Sequence, residues 1–306
     1  MECSLYLHIP FCTEKCDYCD FYSLPLKALG GAEGDRFTGR YVDALLRETE
    51  RRFGELRRAA GPLPDGPPPD GPPPDGPEFS GRPALSVPTV YIGGGTPSVL
   101  GAVGMDRLLD GAAGIISAAS GPPPGGPPPD ASGPPPDGPP PDAGGPSEIT
   151  VEANPETADP AFLRVCADRG VRRLSLGVQT FDPSLRGALG RRGCGGGEGT
   201  ELLSRRLAAA SEIFGEGLSL DLMSGLPGQD EGALLADIAK ALSHRPGHLS
   251  LYALSPEEGT PLAARNTVPG PDEADRLWLA GRDALIRAGY EHYEVSNFAR
   301  PGRRCL

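Results

Sequence analysis

Six short apolar, β-branched runs, each followed by a longer stretch of helical periodicity, constrain the fold of this chain most tightly. The runs are Ser4–Ile9, Pro88–Ile92, Glu148–Val151, Arg173–Val178, Leu218–Met223 and His248–Leu254. The helical stretches fall around Arg36–Ala60, Met105–Ala119, Pro160–Arg169, Thr200–Phe214, Glu231–His244 and Asp272–Ala288. In the first of them Tyr41, Leu45 and Phe53 recur on one face with charges opposite, an amphipathic stripe. A strand–helix unit repeated six times calls for an α/β fold with a parallel sheet and right-handed crossovers. Periodicity leaves open whether the sheet closes. In parallel barrels the chemistry collects where the C-terminal strand ends meet their loops, so those loops are where a site is expected.

The loop after the first run carries Cys12, Cys16 and Cys19, spaced Cys-x3-Cys-x2-Cys, with Phe11, Tyr18, Phe21 and Tyr22 among them. Three thiolates from one short loop can hold three corners of a cubane iron–sulfur cluster and leave its fourth iron without a protein ligand. An iron with an open position can bind a small molecule and act on it. Zinc is the alternative; it needs a fourth ligand, for which Cys3 and His8 are the nearby candidates. Seven cysteines in 306 residues are sparse and odd in number, which argues against a disulfide framework.

The other strand ends are similarly marked. They read Tyr91-Ile-Gly-Gly-Gly-Thr-Pro-Ser98, Val151-Glu-Ala-Asn-Pro155, Gly177-Val-Gln-Thr-Phe181 and Leu220-Asp-Leu-Met-Ser-Gly-Leu-Pro-Gly-Gln229. Any one is compatible with a plain turn. Together they put polar residues and glycines at the end of the sheet that carries the cysteines, as one shared site requires.

Composition narrows the class. With 38% apolar and 23% charged residues the chain suits a soluble protein with a sizeable core. Scattered cysteines fit a reducing, cytoplasmic setting. Met1 is followed almost at once by the first strand, so no leader peptide is expected, and no apolar run reaches membrane-spanning length. Half of the formal net charge of −12 comes from six aspartates in two proline-rich tracts, Gly61–Pro77 and Gly121–Pro146. What remains is ordinary, and no basic face points to nucleic acid. The tracts are built on Asp-Gly-Pro-Pro-Pro and hold 22 of the 37 prolines. Such sequence has little to bury and few backbone donors, so it is expected to be extended and disordered. Insertions of this kind into surface loops cost little free energy.

Taken in order, these blocks resemble the oxygen-independent coproporphyrinogen III oxidase-like family of radical S-adenosylmethionine proteins, over essentially the whole chain outside the two tracts. Coproporphyrinogen dehydrogenases of that family carry a further cysteine two residues after the third ligand. Here that position is Phe21, the pattern of the heme-chaperone branch. Glu148-Ile-Thr-Val-Glu-Ala-Asn-Pro155 and Tyr290-Glu-His-Tyr-Glu-Val-Ser-Asn-Phe298 resemble that branch too. The resemblance implies an open (βα)6 TIM-like partial barrel over residues 1–289, interrupted by the insertions at 61–77 and 121–146. Residues 290–306 would begin a C-terminal region.

By the same resemblance Cys12, Cys16 and Cys19 would bind a 4Fe-4S cluster, and S-adenosylmethionine would chelate its fourth iron. Tyr6 and Tyr18 would flank that cofactor, where a ring beside a sulfonium offers stacking and cation–π contact. Gly94, Gly95 and Thr96 match the segment that meets its amino group. Glu152 would accept hydrogen bonds from it, Gln179 and Arg191 match a pair on the fourth strand and its loop, and Arg191 would clamp its carboxylate as a two-pronged donor. Asp221 interrupts the apolar run Leu218–Met223, where an uncompensated charge is expensive, and is expected to face the cofactor. Ser255 matches a further cofactor position.

Two departures stand out. The family has a histidine where Gly193 stands, and the branch continues past its Pro-Gly-x-x-Cys into a His-Asn-x-x-Tyr-Trp motif and a helical domain, whereas this sequence ends at Leu306. A shortened form is therefore expected. The resemblance implies a heme chaperone that carries heme to an acceptor protein, with a reductant for its cluster. The alternatives are a radical enzyme acting on a porphyrinogen through a 5′-deoxyadenosyl radical, and a zinc-stabilised barrel without redox chemistry.

Overall fold

A computed structural model describes residues 1–28, 31–59, 85–120, 145–191 and 196–306. The tract at 61–77, nearly all of that at 121–146, and Gly193 lie outside the described residues. The strands are β1 (Leu5–Ile9), β2 (Phe11–Cys12), β3 (Leu24–Pro25), β4 (Thr89–Gly94), β5 (Glu148–Ala153), β6 (Arg173–Gln179), β7 (Leu218–Ser224), β8 (His248–Ala253), β9 (Glu291–Glu294) and β10 (Asn297–Ala299). The helices are α1 (Gly31–Ala59), α2 (Gly101–Ser120), α3 (Pro160–Asp168), α4 (Pro183–Ala188), α5 (Gly196–Phe214), α6 (Glu231–Ser243), α7 (Pro261–Arg265) and α8 (Pro271–Arg287).

One sheet runs β1-β4-β5-β6-β7-β8-β10-β9. Its first six strands are parallel, and β10 and β9 extend it antiparallel beyond β8. With β1 at one edge and β9 at the other it is an open, partial barrel, as expected. Residues 291–299 therefore continue the same sheet.

The strands alternate, and the two sides of the sheet differ sharply. Leu7 and Ile9, Ile92, Val151, Leu174 and Leu176, Leu220, Leu249 and Leu251 form outward rows that are almost wholly buried under the helices. The intervening positions are polar: Tyr91, Glu152, Ser175, Asp221 and Ser250 line the inner side, with Glu152 paired to Ser175 and Asp221 to Ser250 in strand register. Period-two alternation in a parallel sheet signals one apolar face and one face kept for something else.

The helices start where the sequence supplies caps. Asp159, Asp182 and Asp230 accept backbone N–H bonds at the starts of α3, α4 and α6, as Thr260 does for α7, and proline opens α3, α4, α7 and α8. At the opposite end of the barrel from the cysteines, the nearly buried Arg173 pairs with Glu148 and donates to the carbonyls of Arg303 and Arg304. Among the described residues no helix is long and apolar enough to cross a membrane.

Candidate functional site

The cysteine loop leaves β1 and returns through the two-residue pairing of β2 with β3, while Leu24 N–H donates to Pro10 O at 2.7 Å. A cavity of about 560 Å³ opens between this loop and the C-terminal ends of β4 to β8. Its wall includes Cys12, Cys16 and Cys19, together with Tyr18, Gly94, Gly95, Thr96, Glu152, Gln179, Asp221 and Ser255. All three expected ligands thus converge there with eight of the ten residues expected to meet the cofactor.

Tyr6 and Arg191 are not on that wall. The Tyr6 ring stands in the open interior of the barrel, stacks on Tyr91 with ring centres 6.1 Å apart, and shares a 2.9 Å hydrogen bond with His8 Nδ1. Arg191 is 5% exposed and sits behind the wall, donating to Gly177 O and, at 3.1 and 3.2 Å, to both carboxylate oxygens of Glu156. It is a buried, paired arginine rather than a solvated one.

Close backbone approach shapes the upper wall. Gly95 N–H donates to Ile9 O at 2.8 Å, and a Cβ on Gly95 would lie 2.6 Å from Phe11 O. Glycine lets the β4 turn press against the strand that launches the cysteine loop. Thr96 Oγ1 donates to Cys12 Sγ at 3.4 Å and accepts from Asn154 Nδ2 at 3.1 Å.

The floor is acidic. Tyr91 Oη donates to Glu152 Oε1 at 2.6 Å, Gly94 N–H donates to Glu152 Oε2 at 3.1 Å, and Ser175 Oγ donates to Asp221 Oδ1 at 3.0 Å. Burial raises the Glu152 carboxyl above its usual value against those two donors. Asp221 is pushed up to about 7, first by burial and then by the negative charge of Glu152, with Ser250 and Ser175 pulling the other way. On β6, Gln179 takes φ 66° at a break in strand register, and its Oε1 is buried with no hydrogen-bond partner. A strained residue holding an orphaned acceptor over a cavity needs a donor from elsewhere. Burial also raises the Cys16 and Cys19 thiols, while the Arg191 guanidinium pulls Cys16 down.

Neither candidate for a fourth zinc ligand lies on the wall: His8 is bonded to Tyr6 in the barrel interior, and Cys3 lies beside Ser86 on the chain's first pairing. Among the described residues no three His, Cys, Asp or Glu side chains gather closely enough to hold a single metal ion. Asn154, Ser175, Met223 and Tyr252 share the wall and were not singled out from sequence. The alternation of β6, β7 and β8 was the signal: Ser175, Met223 and Tyr252 occupy inward positions in step with Asp221.

The fold has a known counterpart. The coproporphyrinogen III oxidase HemN of Escherichia coli, a radical SAM enzyme, superposes with a TM-score of 0.68 at 23% identity, covering 98% of this chain and 56% of that one. The likeness shows the fold: this chain shares the open, partial parallel barrel of that enzyme. In sequence the chain is similar to the heme chaperones HemW. It is 33% identical to HemW of Escherichia coli over 99% of its length and 34% identical to HemW of Mycobacterium tuberculosis over 98%. A mouse mitochondrial protein, radical S-adenosyl methionine domain-containing protein 1, is 32% identical over 98%. The chain spans 64%, 63% and 54% of these relatives. No family model matches it.

Proposed function

We propose that this chain binds a 4Fe-4S cluster through Cys12, Cys16 and Cys19, holds S-adenosylmethionine beside it, and serves as a heme chaperone that passes heme to an acceptor protein in a reducing, cytoplasmic setting. Residues 1–289 make up the cofactor-binding core. The observation that carries this reading is the shared wall. Three thiols and an acidic, glycine-edged floor, drawn from separate strand ends, face one cavity large enough for a cluster and a nucleoside.

The donor set suits those groups. Burial opposes ionisation of Cys16 and Cys19, so the thiolates need bound cations to stabilise them, and cluster iron supplies that charge. Glu152 and Asp221 offer acceptors to ribose hydroxyls, and the orphaned Oε1 of Gln179 offers one to an amine or hydroxyl. Tyr18 and Met223 give the same wall an apolar portion. When bound, a reduced cluster can supply one electron to the sulfonium. This chain's own residues bind, orient and exclude water. Phe21, 73% exposed, stands on the wall where the dehydrogenase pattern has a thiol, which favours a carrier over porphyrinogen turnover.

Anaerobic reconstitution tests this directly. About four irons per chain, saturable S-adenosylmethionine binding and stoichiometric heme uptake without porphyrinogen oxidation are expected. Zinc in place of iron after oxygen-free preparation would overturn the cluster assignment. Coproporphyrinogen oxidation with release of 5′-deoxyadenosine would overturn the chaperone assignment.

A further inference from the structure

We propose that Asp17, between the second and third cysteines, is the positioning residue that holds the cysteine loop in its ligating shape, through a clamp built by α4 and α7. This rests on the reading of Cys12, Cys16 and Cys19 as cluster ligands, and adds a residue outside the set expected to touch cluster or cofactor.

Four contacts converge on Asp17. Its N–H donates to Leu189 O at 3.0 Å, just past α4, and its own carbonyl accepts from Leu262 N–H of α7 at 2.9 Å. Its carboxylate pairs with Arg265 at the end of α7, and Arg265 also donates to Ala188 O of α4 at 3.0 Å. Gly190, at φ 74°, lies directly against that carboxylate, so that a Cβ there would collide with it. Through its backbone and its carboxylate, one residue therefore ties the loop to both helices, and the residue facing that carboxylate has to be glycine.

Packing reinforces the clamp. A second apolar cluster, separate from the main core, gathers Leu185, Leu189, Leu254 and Leu262, and Tyr18 packs against it. Short helices of six and five residues have little stability of their own. Their caps, this cluster and the Asp17 contacts all act on the stretch between Cys16 and Cys19. The side chain of Asp17 is 19% exposed. An unpaired carboxylate there would add negative charge beside thiolates, and Arg265 neutralises it.

Asp17→Ala, Arg265→Ala and Asp17→Asn are compared with the unmutated chain in two measurements. In the metal-free protein, alkylation of Cys16 and Cys19 is followed by mass spectrometry, a reading of local opening that needs no cluster. In the reconstituted protein, iron loss to a chelator is timed and the reduced-cluster spectrum recorded. Asp17→Ala and Arg265→Ala are expected to react roughly 3- to 10-fold faster in both, the size expected from losing a partly exposed charged hydrogen bond, with melting temperature close to that of the unmutated chain. Asp17→Asn, which keeps an acceptor for Arg265, is expected to recover most of the protection. Equal alkylation and equal iron loss in all four proteins would overturn the clamp while leaving the cluster assignment standing. Failure of the unmutated chain to assemble iron would overturn the proposed function; alkylation rates then decide the clamp alone.

Discussion

Replacing Asp221 by asparagine should stabilise the ligand-free protein, and only above acidic pH. Asp221 lies on the polar side of β7, next to Glu152 and beneath the cavity, and its carboxyl is pushed from the usual 3.8 to about 7. In the unfolded chain the group ionises near 3.8; in the fold it keeps its proton until about pH 7. Between those values the folded state binds the extra proton, so stability falls as pH rises, and above 7 the full penalty is present. One pKa step is worth about 1.4 kcal/mol, which sets the penalty at about 2–4 kcal/mol after allowing for relaxation. Asparagine carries no such charge and keeps an acceptor for Ser175. At roughly 2–4 °C per kcal/mol for a chain of this size, the variant should melt about 4–16 °C higher at pH 8. The advantage should shrink through pH 6 and vanish near pH 4. Thermal melts followed by circular dichroism at those pH values decide it. A gap independent of pH, or a variant less stable at pH 8, would refute the account of Asp221 as a carboxylate held uncomfortably for a ligand's sake.

Three further outcomes follow from other parts of the fold. His248 is buried between Ser219 Oγ and Tyr293 Oη, 2.8 Å from each, and burial with the nearby Arg173 lowers it to about 4; its stabilisation is present above pH 6.5 and lost as pH falls toward 4, up to about 3 kcal/mol, so His248→Gln should flatten the acid limb in urea unfolding at pH 4.5 and 7. Gly95→Ala sets a Cβ against the backbone of Phe11 and should destabilise by about 1–3 kcal/mol while lowering iron uptake, checked by melting and iron analysis. Gln179→Gly relieves the left-handed backbone and should add about 1 kcal/mol of stability at the expense of S-adenosylmethionine affinity, measured by calorimetry.

The parallel strands were legible in the sequence to within a few residues because their outward rows are aliphatic without exception: Leu174, Leu176 and Val178 on β6 and Leu218, Leu220 and Leu222 on β7 are buried side by side. The cavity was legible because chemistry at strand ends survives any error in helix boundaries. What escaped has physical reasons. α4 and α7 are too short to show a period, although Asp182-Pro183 and Thr260-Pro261 announce a cap followed by a first-turn proline. β9, Glu291-His-Tyr-Glu294, is a charged edge strand with no apolar alternation. The setting of Arg191 is fixed by Glu156, 35 residues away in sequence, and no local pattern reports a partner at that range.

The same contrast explains how the barrel can be stable and yet built around a poor interior. Its outer face gathers the aliphatic rows under α1, α2, α3, α5, α6 and α8, and burial there supplies the driving force for folding. The inner face sets Glu152 beside Asp221, leaves Gln179 Oε1 without a partner, holds Gln179 itself at positive φ, and raises the pKa of two of three clustered thiols. Each of those features costs free energy in the ligand-free chain, and each is relieved by a ligand carrying cations and hydrogen-bond donors. Such sites lie at strand ends, where polar groups can face a cavity without interrupting the core. Substitutions on the two faces should therefore act in opposite senses, the inner ones loosening ligand affinity before they weaken the fold.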